Sequence, residues 1–176
     1  MPLDVDATTV RGKWLKHVVA GQAPLPSRPD PRPDNRWQHG YVVDAIYLAE
    51  DEQTVWAEWY RFLAEVGLPP NQSMPRDLWS WDVDLTLADL SDETRLARVS
   101  LPLPVPGRST WSPFQSVGEM LWREGWAGLV APSAARPAGF CLCLFWDGSS
   151  SLPGAVPGAK PRRITQPPAP PRGMVT

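Results

Sequence analysis

Apolar and polar positions alternate most cleanly over residues 78–87. There Trp79, Trp81, Val83, Leu85 and Leu87 would face one way, and Ser80, Asp82, Asp84 and Thr86 the other. A period of two predicts a β-strand with one wet face, on which the paired aspartates are simply solvated. Residues 140–146, Phe-Cys-Leu-Cys-Leu-Phe-Trp, are apolar throughout and predict a strand central in a sheet. Shorter apolar runs predict strands over residues 13–19, 42–48 and 129–131.

Helical spacing appears twice. Asp51-Glu52 opens one helix, acids being favoured at its positive end. Val55, Trp59, Phe62 and Val66 recur on one stripe, and Gly67 followed by Pro69-Pro70 ends it. Glu58 falls ~80° from the stripe centre at ~100° per residue, on the border between core and solvent. Ser112-Pro113 opens a second helix that runs to about Glu124 and stops at Gly125, with Phe114, Val117, Leu121 and Met120 inward. Residues 89–98 read as a short helix or turn capped by Ser91. Proline extends residues 100–106. Residues 20–35, rich in Gly, Pro and Asp, predict a long surface loop of the kind that often borders a site.

The order strand, strand, helix, strand, helix, strand, strand indicates an α+β fold, a compact mixed-sheet domain. Residues 1–12 read as a loosely ordered N-terminus and 13–147 as the domain. Residues 148–176 read as a Pro-rich tail: a linker to 161, an edge strand near 162–165, then disordered or extended chain.

Composition narrows the function classes. The chain has 176 residues, enough for one domain with a real core. A net charge of −2 lacks the basic surplus of a nucleic-acid binder. No apolar run approaches a membrane span, and no secretory signal is visible, which points to the cytoplasm. Most of the ten Trp are expected in the core.

Four residues carry candidate chemistry. Arg36, where a loop meets a strand, offers a fork for phosphate oxygens. Tyr47 offers a ring for stacking on a flat heterocycle. Glu58 offers a carboxylate, and Ser133 a hydroxyl at a strand end. Taken singly, each has an ordinary structural explanation. A metal site built from Cys141, Cys143, His17 and His39 is disfavoured, because Cys-x-Cys within an apolar strand lacks the spacing of zinc ligands. Two histidines leave little room for a hydrolase triad, and no phosphate-binding glycine loop is present.

Taken together, Arg36-Trp37, Ile46-Tyr47-Leu48-Ala49-Glu50, Ala57-Glu58, Gln115 with its helix, and Gly128-Leu129-Val130-Ala131-Pro132-Ser133 resemble the RES-domain family in its own order. The resemblance implies a fold similar to ADP-ribosyltransferases. It implies cleavage of the nicotinamide–ribose bond of NAD⁺ by hydrolysis or phosphorolysis, in the toxin of a type II toxin–antitoxin pair. By position, Glu58, Arg36 and Tyr47 would be catalytic, with Arg36, Tyr47 and Ser133 binding substrate. NAD⁺ would enter as substrate, with no separate cofactor. The partner would be an antitoxin with a helix-turn-helix domain, and a homo-oligomer stays open. Two alternatives remain: ADP-ribosyl transfer to a protein, and a catalytically degenerate nucleotide- or partner-binding module using a Trp-rich surface. Gln38-His39-Gly40 departs from the Asn, Pro and Gly that the family commonly carries after the Arg-aromatic pair. That departure bears on the loop over the ligand and hence on activity.

Overall fold

Five strands close on one another in a ring, and the computed structural model of the chain describes residues 2–25 and 32–175. The elements are β1 (Asp6–Val19), β2 (Asp44–Ala49), α1 (Glu52–Val66), β3 (Arg76–Asp89), α2 (Glu93–Arg98), α3 (Trp111–Arg123), β4 (Gly128–Pro132), β5 (Phe140–Trp146), β6 (Ala155–Pro157) and β7 (Arg162–Ile164). Short 3-10 turns lie at Pro70–Ser73 and Arg108–Thr110. The ring runs β1-β2-β5-β4-β3 and back to β1, a mixed sheet in which only β3 and β4 are parallel. As expected of a fully apolar strand, β5 lies inside the sheet, between β2 and β4.

The alternation in β3 divides its faces. Trp81, Val83 and Leu87 are buried, while Asp82, Asp84 and Thr86 are exposed. Ile46, Leu48, Leu142, Leu144 and Trp146 join the β3 residues in one core cluster. Cys143, Phe145, Leu129 and Ala131 belong to a second cluster with Phe114, Val117 and Leu121 of α3. A third cluster seats α1 on the strands through Val55, Trp56, Trp59 and Leu63. Six Trp are buried and four are half-buried, so there is no exposed Trp patch of the kind a Trp-rich binding surface requires.

Several expectations are corrected. Residues 6–12 are not loose, because β1 begins at Asp6 and pairs with β3 from Asp6↔Asp89 through Val19↔Arg76. The segment read as a linker contains β6, with Leu152 and Ala155 buried against β3. Residues 162–164 do form an edge strand on β3. The chain beyond is extended yet bonded to the body: Tyr60 donates to the Pro168 carbonyl at 2.6 Å, and Gln53 accepts from the Arg172 amide at 3.1 Å. Asp51 caps α1 and left-handed Gly67 ends it as expected, but its buried stripe is rotated toward Trp56 and Leu63, leaving Phe62 and Val66 exposed. Both stripes have helical spacing, and the packing of Trp56 against His17 of β1 goes with the rotated one. Asp92, not Ser91, caps α2, since its carboxylate accepts from the Arg95 amide. Helix α3 begins at Trp111, two residues before Pro113, so Ser112 lies inside the helix rather than capping it, and Met120 is exposed on it. Of the loop expected over 20–35, residues 26–31 lie outside the described residues.

Candidate active site

All four candidate residues line one pocket of about 360 Å³, into which the sheet and α1 both reach. Tyr47 comes from β2 and Glu58 from α1. Ser133 follows β4, and Arg36 lies on the loop before β2.

Glu58 is held from two sides. Its Oε1 accepts from Ser133 Oγ at 2.6 Å and from the Ala135 amide at 3.3 Å, while Oε2 accepts from Arg61 Nε at 2.8 Å. Arg61 also donates to Glu65 at 2.5 Å, and Glu65 accepts from the Gly107 amide at 3.2 Å. Burial opposes the charge on Arg61, but Glu58 and Glu65 outweigh it and raise its pKa. One carboxylate is thus fixed in orientation, one side chain exposed by a quarter, at the pocket wall. The border position on the helical wheel describes it well. Ser133 accepts in turn from the amides of Ala135 and Arg136, at 3.2 and 3.0 Å. Its hydroxyl therefore fixes Glu58.

Arg36 is buried rather than a surface arginine. It donates to Thr110 Oγ1 at 3.1 Å and to the Val105 carbonyl at 2.6 Å, and its guanidinium lies 5.3 Å from the Phe114 ring centre. Burial, with the nearby charge of Arg61, lowers its pKa. The loop that carries it rests on α3 where that helix has Gly118: a Cβ there would stand 1.9 Å from the Trp37 carbonyl oxygen. Gly in a helix interior weakens the helix, and here the close approach of the loop requires it.

Gln38, part of the altered stretch, is fully buried. Its Oε1 accepts from the Tyr47 hydroxyl at 2.5 Å, and that hydroxyl accepts from the Trp37 amide at 3.3 Å. Burial pushes the phenol far above its ordinary pKa. Tyr47 is therefore a neutral, anchored ring. His39 pairs with Glu119 on α3, and Gly40 donates to Asp34 at 2.8 Å. The substituted stretch keeps a built architecture of its own.

Three polar residues in the pocket escape a motif-based reading: Lys16, His17 and Arg76. The β1–β3 register brings them together across 59 positions of sequence. Arg76 donates twice to His17 Nδ1, at 3.2 and 2.9 Å. Burial, Arg76 and Lys16 hold the imidazole well below its usual pKa, so His17 is neutral. Its ring stacks on Trp56 at 5.2 Å. Burial and Arg76 push the Lys16 amine down to about 8. Among the described residues neither Lys16 nor Arg76 has a carboxylate partner, and Glu58 is the only carboxylate lining the pocket.

Cys141 also lines the pocket, and burial and Glu58 raise its thiol well above the ordinary value, away from thiolate chemistry. Among the described residues, no group of three or more His, Cys, Asp or Glu is placed to hold a metal ion. No helix among them is long and apolar enough to cross a membrane.

The architecture has a solved counterpart. The crystal structure of the M. tuberculosis MbcT-MbcA toxin-antitoxin complex contains a similar chain, with a TM-score of 0.74 and 21% identity over 90% of this chain and 87% of that one. At that identity the likeness is one of fold. No curated protein matches the chain. The model of the RES domain matches residues 10–163, a span that holds Lys16, Arg36, Tyr47, Glu58 and Ser133 alike. The chain belongs to the RES-domain family.

Proposed function

We propose that this pocket binds NAD⁺ and cleaves its nicotinamide–ribose bond, and that the protein is the toxin of a toxin–antitoxin pair. The observation that carries the reading is the charge arrangement. One oriented carboxylate, Glu58, shares a pocket with Lys16 and Arg76, which have no acid partner among the described residues, and with Arg36, bonded to neutral oxygens. Half-buried cations without acid partners cost free energy until an anion arrives. A pyrophosphate supplies that anion.

The chemistry needs few groups. The C1′–N1 bond breaks, its electron pair leaves with the ring nitrogen, and nicotinamide departs neutral without a general acid. The ribose takes on oxocarbenium character, as in glycoside cleavage. Glu58 stabilises that charge and orients the incoming nucleophile. Water adding at C1′ loses a proton and gives ADP-ribose, whereas phosphate adding there gives the phosphorylated product. The Tyr47 ring packs against the nicotinamide. The fold shared with a chain of a toxin–antitoxin complex supports a protein partner for this chain, and an antitoxin with a helix-turn-helix domain is the partner we propose.

The test is product analysis. Purified protein with NAD⁺, with and without phosphate, is expected to release nicotinamide. Phosphate dependence selects phosphorolysis. Label appearing on protein instead of in small molecules selects ADP-ribosyl transfer. Intact NAD⁺ after incubation with folded protein contradicts the proposal.

A further inference from the structure

One short loop separates Glu58 from the segment 165–175, and it is bonded on both sides. On its inner side the Ala135 amide donates to Glu58 Oε1, and Ser133 donates to the same oxygen. On its outer side the Ala135 carbonyl accepts from the Val175 amide at 2.7 Å. Arg136 adds a second tie. Its Nε donates to the Arg172 carbonyl at 3.2 Å, and its Nη1 reaches Thr54 Oγ1 at 3.0 Å and Asp51 at 3.4 Å. Thr54 sits one turn before Glu58 on the same side of α1, and Asp51 is the cap of that helix. The fit is close: a Cβ on Gly139, at the far end of this turn, would stand 2.1 Å from Thr54 Oγ1.

We infer that residues 165–175 act as a strap, and that Arg136 and the Val175 amide are positioning groups for Glu58. The inference rests on the reading of Glu58 as the working carboxylate. Beyond Pro132 the loop closes on itself, Ser133 N donating to the Gly139 carbonyl and Gly139 N to the Arg136 carbonyl, both at 2.8 Å, and its outer face is tied to the segment through Val175 and Arg172. Without the strap, Ala135 and Ser133 would follow the loop, and Glu58 would lose two of its three donors. No residue of the strap is among those lining the pocket, so ligand binding should survive its loss.

The test uses substitutions that spare the pocket lining. Val175→Pro deletes the N–H and also fixes φ at that residue, whereas Val175→Ala keeps the N–H. Arg136→Ala removes all three bonds of the guanidinium, and Arg136→Lys retains the charge and one reach. Turnover and hydrogen exchange at residues 133–136 are measured together. Val175→Pro and Arg136→Ala should lower kcat by about 10- to 100-fold with KM nearly unchanged, the scale of a misplaced reacting group. They should also speed exchange in the loop while β5 amides stay protected. Val175→Ala should behave as wild type, and Arg136→Lys should recover part of kcat. Wild-type kcat and wild-type protection in Val175→Pro would overturn the strap. Absence of NAD⁺ cleavage in the wild type defeats the functional proposal alone, since the exchange comparison still decides whether the segment holds the loop.

Discussion

The two halves of the β1–β3 ladder treat charge in opposite ways. In the first half Arg11 lies opposite Asp84 and Lys13 opposite Asp82, and each pair is exposed and bonded, at 3.0 and 2.8 Å. In the second half Lys16 and Arg76 face the pocket, with neutral His17 between them and no acid partner among the described residues. One half is a solvated face whose charges cancel. The other stores positive charge at a cost, as a binding site does before its ligand arrives. The difference lies in the cross-strand partner rather than in the residue type.

The largest effect should come from removing the one acid in the pocket. Glu58→Gln keeps the shape and is expected to lower turnover by about 10²–10³-fold, with a melting temperature near wild type. Next is the cationic wall. Lys16→Met should raise the KM for NAD⁺ about tenfold or more, the loss of one charge-assisted contact. The same change should stabilise the ligand-free protein by up to about 1 kcal/mol, because a half-buried charge with no acid partner among the described residues is gone. Denaturant titration checks the second arm. A variant both weak in binding and less stable would erase the distinction between the two halves.

Gly118→Ala tests the floor under Arg36. The added methyl should displace the Trp37 carbonyl, costing about 1–3 kcal/mol by overpacking and raising KM through Arg36. A crystal structure of this variant with Trp37 unmoved would contradict the packing account.

The pH dependence sharpens the comparison further. Lys16 titrates near 8 in the folded chain and at the ordinary lysine value when unfolded. Between those values the unfolded chain binds the extra proton, so ligand-free stability should rise with pH there. Ligand binding runs the other way. Loss of the charge above about pH 8 should raise KM, by at most about tenfold per pH unit for a single proton, and binding near pH 8 should take up a proton. Calorimetry in buffers of different ionisation enthalpy reads that uptake directly. Smallest of all should be Lys13→Met, in the compensated half: under about 1 kcal/mol in stability and no change in KM.

This contrast also explains which features the sequence made legible. Local signals carried well: the Asp51 cap, the Gly67 stop, the alternation of β3 and the apolar run of β5 each depend on neighbours a few residues away. The candidates Arg36, Tyr47, Glu58 and Ser133 came from motif order and meet in one pocket. Long-range pairing was not legible. Residues 6–12 mix Thr8, Thr9 and Val10 with Asp6, Arg11 and Gly12, and only the partner strand β3 makes them a strand. The three residues of β6 are too few to show a period. Lys16 looked like an ordinary strand lysine until the fold set it near Arg76, and the buried face of α1 packs on strands remote in sequence, with His17 of β1 stacked on Trp56.

The most direct test of the account is a paired measurement on wild type and Glu58→Gln: nicotinamide released from NAD⁺, and NAD⁺ bound at equilibrium. The account predicts release by wild type, release lowered by about 10²-fold or more in the variant, and binding retained by both through the cationic wall. Release by Glu58→Gln at the wild-type rate would contradict the central claim that this one oriented carboxylate performs the chemistry.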